Sequence, residues 1–442
     1  MASKKAKIQT PQGMSDILPE DQPFFKKIYK TAQSFASAYG FRELSPPILE
    51  HTELFEKGTG ADTDIVEKQM YSLRTKGGDH LTLRPEFTPS LVRAYLEHGM
   101  ISLPQPVKLF SFGPVFRHEK PQSGRFRQFH QFNIEVFGSK DPIIDVEIIY
   151  LFYNILQALG IKNLLVEINS IGDKECRPDY KKLLVKYLKK NEHFLCADCK
   201  RRLKTSPLRI LDCKREQCRQ VVSGAPQMID HLCKGCHNHF KKVLEFLDEL
   251  ALPYNLNPYL ARGLDYYTRT VFEISSQDNK AAEPSRDTTR PEQAAGGQQG
   301  SLLGGGRYDN LVKLFSRKNV SACGGAGGIE RIIAAMKQEG IKVCGKPEPV
   351  IFLAQLGDAA KIKALKLIED LRKANIPISE FLDRDSLTAQ LKIANKLNVR
   401  YTLIIGEEEA SKNMVIIRDM KSGKQSLVKM GMLVSQLKKR LR

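Results

Sequence analysis

The chain has no apolar run near the roughly 20 residues that a membrane-spanning helix needs. Its first residues, 1–9, are basic and polar and lack the apolar core of a secretory signal. We therefore expect a protein without a membrane segment that stays in the cytoplasm, where thiols remain reduced. It follows that the nine cysteines are not expected to form a disulfide framework.

Acidic residues are scarce relative to basic ones. The chain has 50 Asp and Glu against 69 Lys and Arg, a net charge of +19 and a pI near 9.4. Dispersed Lys and Arg gain affinity for phosphates by releasing condensed counterions, so this excess predicts a polyanionic partner. Nucleic acid is the leading candidate, and a general role of the charge in solubility is the alternative.

The length of 442 residues exceeds what one hydrophobic core usually serves, so two or three domains are expected. From Pro349 onward, strand and helix patterns alternate, which predicts an α/β domain over 346–442. The preceding 1–345 would form a larger domain that contains two special segments. Residues 172–240 are rich in Lys, Arg and Cys and predict an inserted helical module, and the polar residues 277–300 predict a flexible loop.

Two patterns within the first domain predict regular elements. Residues 22–39 carry apolar side chains at helical spacing and end at Gly40, a residue typical of helix C-caps. Residues 107–118 and 127–137 predict a long antiparallel hairpin. With period two, Arg127, Gln131 and Glu135 share one strand face, and Phe132, Ile134 and Val136 share the other. The polar face could line a pocket while the apolar face packs on helices.

Several sequence motifs occur in a fixed order along the chain. They are Phe41–Pro47, Leu83–Thr88, Phe116–Gln122 with Arg125–Gln131, Arg262–Thr268 (RGLDYYT), Gly304–Asp309 (GGGRYD) and Gly327–Arg331. Together they resemble the motifs of histidyl-tRNA synthetases, a family of class II aminoacyl-tRNA synthetases. The resemblance runs from Gln12 almost to the C-terminus and leaves out only the 277–300 loop.

This resemblance implies both a fold and an activity. The expected fold is an α+β catalytic domain with a mixed, mainly antiparallel class II synthetase sheet flanked by helices. A helical, cysteine-containing insertion and a C-terminal α/β anticodon-binding domain complete it. The expected activity is histidine–tRNA ligation: histidine reacts with ATP to give histidyl-adenylate, and histidine then passes to the 3′ end of tRNA(His). A homodimer is also implied, because Pro47 falls in the motif that forms the family's dimer interface.

The resemblance also assigns roles to individual residues. Glu86, Thr88 and Gln131 would hold the histidine ammonium group, Glu135 and Tyr267 would contact the imidazole, and Tyr266 would line the pocket. Such buried polar groups discriminate strongly, because a wrong amino acid leaves them unpaired. Arg117 and Arg262 would be the catalytic cations and would also contact histidine. Arg suits this role because its planar guanidinium grips phosphate and stays charged.

ATP with Mg²⁺ is the implied energy source. Arg117 would contact the α-phosphate, Arg125 the outer phosphates and Glu119 the adenine, and Arg331 would support ATP from the third class II motif. Taken singly, each arginine could be a surface ion pair of little energetic value. The tRNA would meet the hairpin loop at 122–127 and the C-terminal domain.

Six cysteines of the inserted module lie between residues 196 and 236. Cys196 and Cys199, and likewise Cys233 and Cys236, have the Cys-x-x-Cys spacing of zinc ligands. We expect these four as ligands of a structural zinc ion in preference to Cys213 and Cys218. Since some relatives carry thiols here and others none, a metal-free module stays open.

Two other functions compete with the ligase hypothesis. One is a non-catalytic regulatory paralogue that senses histidine or ATP, and the other is a tRNA-binding module without ligase activity. Regulatory paralogues tend to lose the Arg262–Thr268 motif and the C-terminal domain, and both are present here.

Overall fold

The computed structural model describes residues 8–60, 63–119, 126–213, 215–277, 301–343 and 350–441. The chain divides into two compact units, one ending at Val343 and the other beginning at Cys344. The predicted boundary between 345 and 346, most of the predicted loop at 277–300, and the hairpin loop up to Arg125 lie outside the described residues. No helix of the described residues is long and apolar enough to cross a membrane.

The first unit is built around a large sheet. Its strands and those of a smaller sheet are β1 (Arg42–Glu43), β2 (Leu49–His51), β3 (Tyr71–Arg74), β4 (His80–Leu83), β5 (Val107–Phe116), β6 (Gln128–Phe137), β7 (Leu164–Ser170), β8 (Tyr254–Leu256), β9 (Thr268–Ser276), β10 (Leu303–Arg307) and β11 (Ala322–Gly328). Among the described residues, the large sheet has the order β1-β5-β6-β11-β10-β9-β7-β8 and the small one β2-β4-β3.

The pairing of the large sheet is mixed. Only its outer pairs, β1 with β5 and β7 with β8, are parallel, whereas the pairs between them are antiparallel. The predicted mainly antiparallel sheet is therefore confirmed.

Helices pack against both faces of this sheet. Those of the first unit are α1 (Gln22–Ala38), α2 (Thr52–Thr59), α3 (Thr88–Glu97), α4 (Pro142–Ala158), α5 (Arg177–Lys190), α6 (Ala197–Thr205), α7 (Glu216–Ser223), α8 (Lys234–Glu249), α9 (Leu311–Phe315) and α10 (Ile329–Gln338). Phe132, Ile134 and Val136 of β6 are buried in one core with side chains of α1, α4 and α10. The alternation in the sequence thus assigns the apolar face of the hairpin correctly.

The predicted insertion is helical. It contains α5, α6, α7 and the start of α8, joined by short 3₁₀ segments. Its apolar side chains form a core of their own, in which the cysteines pack with leucines of α5. The module is therefore held together separately from the large sheet.

The second unit is the predicted α/β domain. Its elements are β12 (Ile351–Gln355), α11 (Asp358–Lys373), β13 (Ile378–Glu380), α12 (Leu387–Lys396), β14 (Tyr401–Ile405), α13 (Glu407–Ser411), β15 (Met414–Asp419), β16 (Gln425–Lys429) and α14 (Leu433–Leu441). Among the described residues the strands form a sheet in the order β13-β12-β14-β15-β16. β12 pairs in parallel with β13 and β14, as expected where helices connect the strands.

Candidate active site

Glycines in β10 and β11 make room for the site on the sheet face opposite α1, α4 and α10. Glycine is a poor strand former, and in a strand interior it often marks the close approach of another group. A Cβ at Gly304 would lie 2.5 Å from Nη1 of Arg262, and one at Gly324 would overlap the carboxylate of Glu135. A Cβ at Gly306 would lie 3.0 Å from the ring of Tyr267.

The register shows that these groups share one face. Gly306 pairs with Gly324, Gly324 pairs with Glu135, and Gly304 pairs with Glu273. Directly paired residues point to the same side of a sheet, so the glycines form a floor between the two glutamates. Strand pairing thereby brings together residues of three segments that are far apart in the sequence.

Glu86 is a buried carboxyl between β4 and α3. Its Oε1 accepts a hydrogen bond from Thr59 Oγ1 at 2.6 Å, and its Oε2 accepts one from the Tyr266 hydroxyl at 2.7 Å. Burial raises the pKa of Glu86, while these hydrogen bonds and the charges of Arg117 and Arg262 act in the opposite direction. Both predicted catalytic arginines therefore act electrostatically on the same carboxyl.

Glu135 is the second buried carboxyl and is fully shielded from solvent. It accepts hydrogen bonds from Thr88 Oγ1 at 2.7 Å, Asn133 Nδ2 at 3.2 Å and the Tyr308 hydroxyl at 2.5 Å. Burial raises the pKa of Glu135 to about 7, although the three hydrogen bonds favour the ionised form. Thr88, predicted beside Glu86 at the ammonium group, here donates to Glu135 instead.

Sequence reasoning did not assign roles to Tyr308, Asn133 or Thr59. Tyr308 lies within the Gly304–Asp309 motif, so the motif was a usable signal for it. Asn133 is two residues from both Gln131 and Glu135, and the strand period alone would have placed it on their face. Nothing in the sequence around Thr59 signals that its hydroxyl reaches Glu86.

Aromatic rings enclose the two carboxyls. The ring centroids of Tyr266 and Tyr267 are 4.7 Å apart, and those of Tyr266 and Tyr308 are 5.6 Å apart. All three tyrosines are buried. The pocket wall is thus aromatic, and the hydroxyl groups of Tyr266 and Tyr308 are turned to the carboxyls.

Two acceptors of the site have no partner within the described part of the chain. They are the buried side-chain oxygens of Gln131 and Asn133, which follow each other on the polar face of β6. An unpaired buried oxygen costs about 1–3 kcal/mol, so such groups in a native protein call for an explanation. A ligand with several N–H donors would satisfy both.

The two arginines are held differently. Nε of Arg117 donates to the Pro85 carbonyl at 2.9 Å, and its guanidinium lies 5.4 Å from the ring centroid of Phe129. Arg262 forms an ion pair with Glu273. Burial disfavours the charge of Arg262, but Glu273 together with Tyr267 and Tyr266 offsets burial, so the pKa of the guanidinium is raised.

The predicted ATP-binding residues are described in part. The backbone carbonyl of Glu119 accepts a hydrogen bond from Arg127 Nε at 3.2 Å, next to Arg117. Arg331 lies in the first turn of α10, where its Nη1 donates to the Ser301 carbonyl at 3.0 Å. Arg125 lies outside the described residues.

The predicted zinc ligand set is wrong in its grouping. The structure places Cys196 and Cys199 with Cys213 and Cys218, and it places Cys233 and Cys236 with Asp173 and Cys176. Cys196 precedes α6 and Cys233 precedes α8, so each pair begins a different helix. Sequence spacing could not reveal this, because the partners come from distant turns.

Arg307 of the Gly304–Asp309 motif has a structural role. It is fully buried and forms an ion pair with Asp145 of α4 at 3.0 Å, and it also donates to the carbonyls of Ser139 and Asp141. His239 and Thr270 contact the same carboxylate. Burial would raise the pKa of Asp145, but Arg307 and His239 lower it to about 2. The motif therefore joins strand β10 to helix α4.

Family models and curated relatives match most of the chain. The model of the family "Histidyl-tRNA synthetase" matches residues 13–332, and the "Anticodon binding domain" model matches residues 350–440. A histidine–tRNA ligase of Dehalococcoides mccartyi is 42% identical over 98% of this chain and 100% of its own. One of Pelotomaculum thermopropionicum is 43% identical over 98% and 97%.

The fold agrees as well. The crystal structure of apo S. aureus histidyl-tRNA synthetase superposes with a TM-score of 0.75 at 32% identity, covering 97% of this chain and 99% of that one. Glu86 and Glu135, the glycine floor, and Arg117 and Arg262 thus lie in a chain that matches these proteins over nearly its whole length. The chain belongs to the histidyl-tRNA synthetase family.

Proposed function

We propose that this chain is an ATP-dependent histidine–tRNA ligase whose active site is the pocket around Glu86 and Glu135. The observation that carries the proposal is the combination of two buried carboxyls and two unpaired buried oxygens with two arginines that act on one of the carboxyls. Family membership and the near full-length match to histidine–tRNA ligases support it.

The pocket suits a ligand that carries an ammonium group and an imidazole ring. Glu86 and Gln131 offer acceptors for the ammonium group, with Thr88 nearby. Glu135 offers an acceptor for a ring N–H, and Tyr266 and Tyr267 supply the wall. An amino acid with an apolar side chain would offer no ring N–H to Glu135 and would leave the buried Asn133 oxygen unpaired, so it should bind more weakly than histidine.

Arg117 and Arg262 would stabilise the charge that develops in both steps. First, a carboxylate oxygen of histidine attacks the α-phosphorus of ATP, and the bond from that phosphorus to pyrophosphate breaks. Then a ribose hydroxyl at the tRNA 3′ end attacks the carbonyl carbon and AMP leaves. Fixed cations lower such barriers because they are positioned before charge appears. Glu273 orients Arg262 through their ion pair.

Arg331, Glu119 and Arg125 would bind the remaining parts of ATP. Mg²⁺ would enter with the nucleotide, since this ion is usually held by substrate phosphates and one or two carboxylates. Among the described residues, no three carboxylates lie close enough to hold an ion by themselves. We therefore expect the magnesium ion to be held mainly by the phosphates of ATP. We do not expect a site made of protein ligands alone.

Zinc would serve the inserted module. Cys196, Cys199, Cys213 and Cys218 have sulfur atoms that lie within 4.8 Å of one another, and three of these residues are buried. The Cys196 amide donates to the Cys218 sulfur at 3.2 Å, a bond that favours a thiolate. Four thiolates match a closed structural zinc site. Cys218→Ser should then lower the zinc content by one ion per chain, and unchanged content would contradict this site.

The remaining expectations concern partners and location. The net charge of +19 suits a tRNA partner, which would meet the hairpin loop and the second unit. We expect a homodimer in the cytoplasm. Sedimentation of the purified chain would test the dimer, and a monomer at micromolar concentration would contradict it.

Histidine-dependent ATP–pyrophosphate exchange tests the activity. The parent should exchange with histidine and not with other amino acids, and it should then charge tRNA(His). Arg262→Ala should lower kcat of exchange by about 10²–10³-fold, the usual cost of removing one transition-state donor. Arg372→Ala, which removes an exposed arginine paired with Glu369, is the matched control. Absence of exchange in a folded parent would favour the non-catalytic alternatives.

A further inference from the structure

We infer that Asp173, Cys176, Cys233 and Cys236 form a second zinc site, separate from the four-cysteine cluster. Asp173 and Cys176 lie between β7 and α5, whereas Cys233 and Cys236 lie at the start of α8. One carboxylate oxygen and three sulfur atoms all lie within 4.8 Å of one another. The set therefore joins the inserted module to the end of a strand of the large sheet.

One carboxylate oxygen of Asp173 lies close to two of the cysteine sulfurs. Oδ1 of Asp173 lies 3.8 Å from the sulfur of Cys176 and 3.9 Å from that of Cys233. Tetrahedral zinc with bonds of about 2.3 Å to sulfur separates neighbouring ligand atoms by roughly 3.8 Å. These two oxygen–sulfur distances match that spacing, and all four ligand atoms lie within 4.8 Å of one another.

Backbone amides favour thiolates at this cluster. The Asp173 amide donates to the Cys176 sulfur and the Cys236 amide donates to the Cys233 sulfur, both at 3.4 Å. Cys233 is also the N-cap of α8, where the helix dipole favours negative charge. Zinc would replace the thiol protons, which gives these N–H groups a charged acceptor.

The neighbourhood leaves space for the sulfurs and supplies a counter-charge. Gly172 has a φ of +64°, and a Cβ there would lie 2.6 Å from the Cys176 sulfur. Oδ2 of Asp173, the oxygen that does not face the sulfurs, pairs with Arg269 at 3.3 Å. A hydrogen-bonded outer partner of this kind orients metal-ligating carboxylates in proteins.

The ligand set selects zinc among common metals. Three soft thiolates and a single carboxylate do not suit Mg²⁺ or Ca²⁺, which bind mainly through oxygen ligands. A four-iron cluster would hold its cysteine sulfurs farther apart than this set allows. A site with four protein ligands and no open position is structural and not catalytic.

The site would also position the histidine pocket. The segment that carries Asp173 and Cys176 continues into Arg177, which donates to the backbone carbonyl of Tyr267. Arg269, paired with Asp173, follows Tyr267 by two residues and its amide donates to the Gly172 carbonyl at 2.7 Å. An ion at Asp173 would therefore help to fix the backbone at Tyr267 and Arg269, next to the pocket wall.

Zinc content of the full chain tests the site independently of ligase activity. The parent, expressed with zinc and purified without chelator, should contain two zinc ions per chain by mass spectrometry. Cys176→Ser should lose one ion, and Cys176→Ser with Cys218→Ser should lose both. Cys323→Ser is the matched control, because Cys323 belongs to neither cluster and should keep two ions.

X-ray absorption covers the case in which Cys176→Ser fails to fold. The zinc that remains in Cys218→Ser should show three sulfur ligands at about 2.3 Å and one oxygen at about 2.0 Å. Two ions retained in Cys176→Ser would overturn the site. So would four sulfur ligands in Cys218→Ser, or disulfides among Cys176, Cys233 and Cys236 in the parent under reducing conditions.

A kinetic measurement separates the positioning role from simple stabilisation, and this part rests on the proposed function. In pyrophosphate exchange, Cys176→Ser should raise KM for histidine about tenfold and leave KM for ATP within about threefold. Asp173→Cys, which replaces one metal ligand by another, should still contain two zinc ions per chain. If both KM values rise equally, the pocket link is wrong even though the metal site stands.

Discussion

Two buried polar clusters lie in the first unit, and they handle charge in opposite ways. At Asp145 the carboxylate is buried with Arg307 as its counterion, and its pKa falls to about 2. At Glu135 the carboxyl has only neutral hydrogen-bond partners, and burial raises its pKa to about 7. The first cluster is complete without a ligand, whereas the second includes unpaired oxygens. A buried carboxyl alone therefore does not mark an active site. A buried carboxyl without a protein counterion, next to unpaired buried oxygens, does.

Breaking the compensated cluster should give the largest effect. Arg307→Met removes the main counter-charge of the buried Asp145 and leaves it with His239 and Thr270 as partners, which should lower the free energy of unfolding by about 3–5 kcal/mol. Denaturant unfolding of the first unit measures this loss. Adding Asp145→Leu should recover more than half of it, because the unpaired charge is then removed. A loss below about 1 kcal/mol in Arg307→Met would show that the pair is not needed.

Breaking the uncompensated cluster should instead affect binding. Glu86→Gln removes the acceptor charge for the ammonium group, which should lower kcat/KM for histidine about 100-fold, or about 3 kcal/mol. The free energy of unfolding of Glu86→Gln should equal or exceed that of the parent, because a neutral amide replaces a buried carboxyl. Glu97→Gln, on the exposed side of α3, is the control and should leave kcat/KM within about twofold. Equal kinetics in Glu86→Gln and parent would remove Glu86 from the site.

A substitution in the glycine floor should affect both stability and histidine binding, each by a smaller amount. In Gly324→Ala the new methyl group meets the Glu135 carboxylate, so we expect a loss of about 1–3 kcal/mol of stability and a KM for histidine raised about tenfold. Gly431→Ala serves as the control, because no atom lies within 4 Å of its added methyl group. An unchanged KM in a folded Gly324→Ala would show that Glu135 can move away without loss.

The pH dependence of stability should give the smallest of the expected effects. Because folding raises the pKa of Glu135 from 4.5 to about 7, the folded state binds the extra proton and stability falls as the pH rises between these values. From pH 6 to pH 7 the parent should lose about 1 kcal/mol relative to Glu135→Gln. Thermal unfolding at both pH values measures this difference. An equal pH dependence in the two proteins would contradict the raised pKa.

The sequence was most informative where local pattern decides the outcome. The alternation in 127–137 placed Phe132 and Ile134 in the core and Glu135 on the pocket face, as the structure has it. The strand and helix order of the second unit also followed from periodicity. These features depend on neighbours along the chain, so one sequence contains the necessary information.

The cysteines show where local reasoning fails. Cys-x-x-Cys spacing suggested that Cys199 and Cys233 serve one ion, yet helix packing in the module brings Cys199 to Cys218 and Cys233 to Cys176. Asp173 did not stand out, since an aspartate in a turn has many ordinary roles. Which side chains meet across a core depends on the packing of distant segments, and spacing cannot encode it.

By itself, the sequence determined the family, the order of the elements and which face of β6 carries Gln131 and Glu135, because motifs and periodicity are properties of neighbouring residues. The tertiary structure alone decided that Arg307 belongs to Asp145, that Tyr308 reaches Glu135, and that the thiols form two groups. The physical reason is that charge compensation and metal geometry depend on atoms within a few ångströms in space, whatever their separation along the chain.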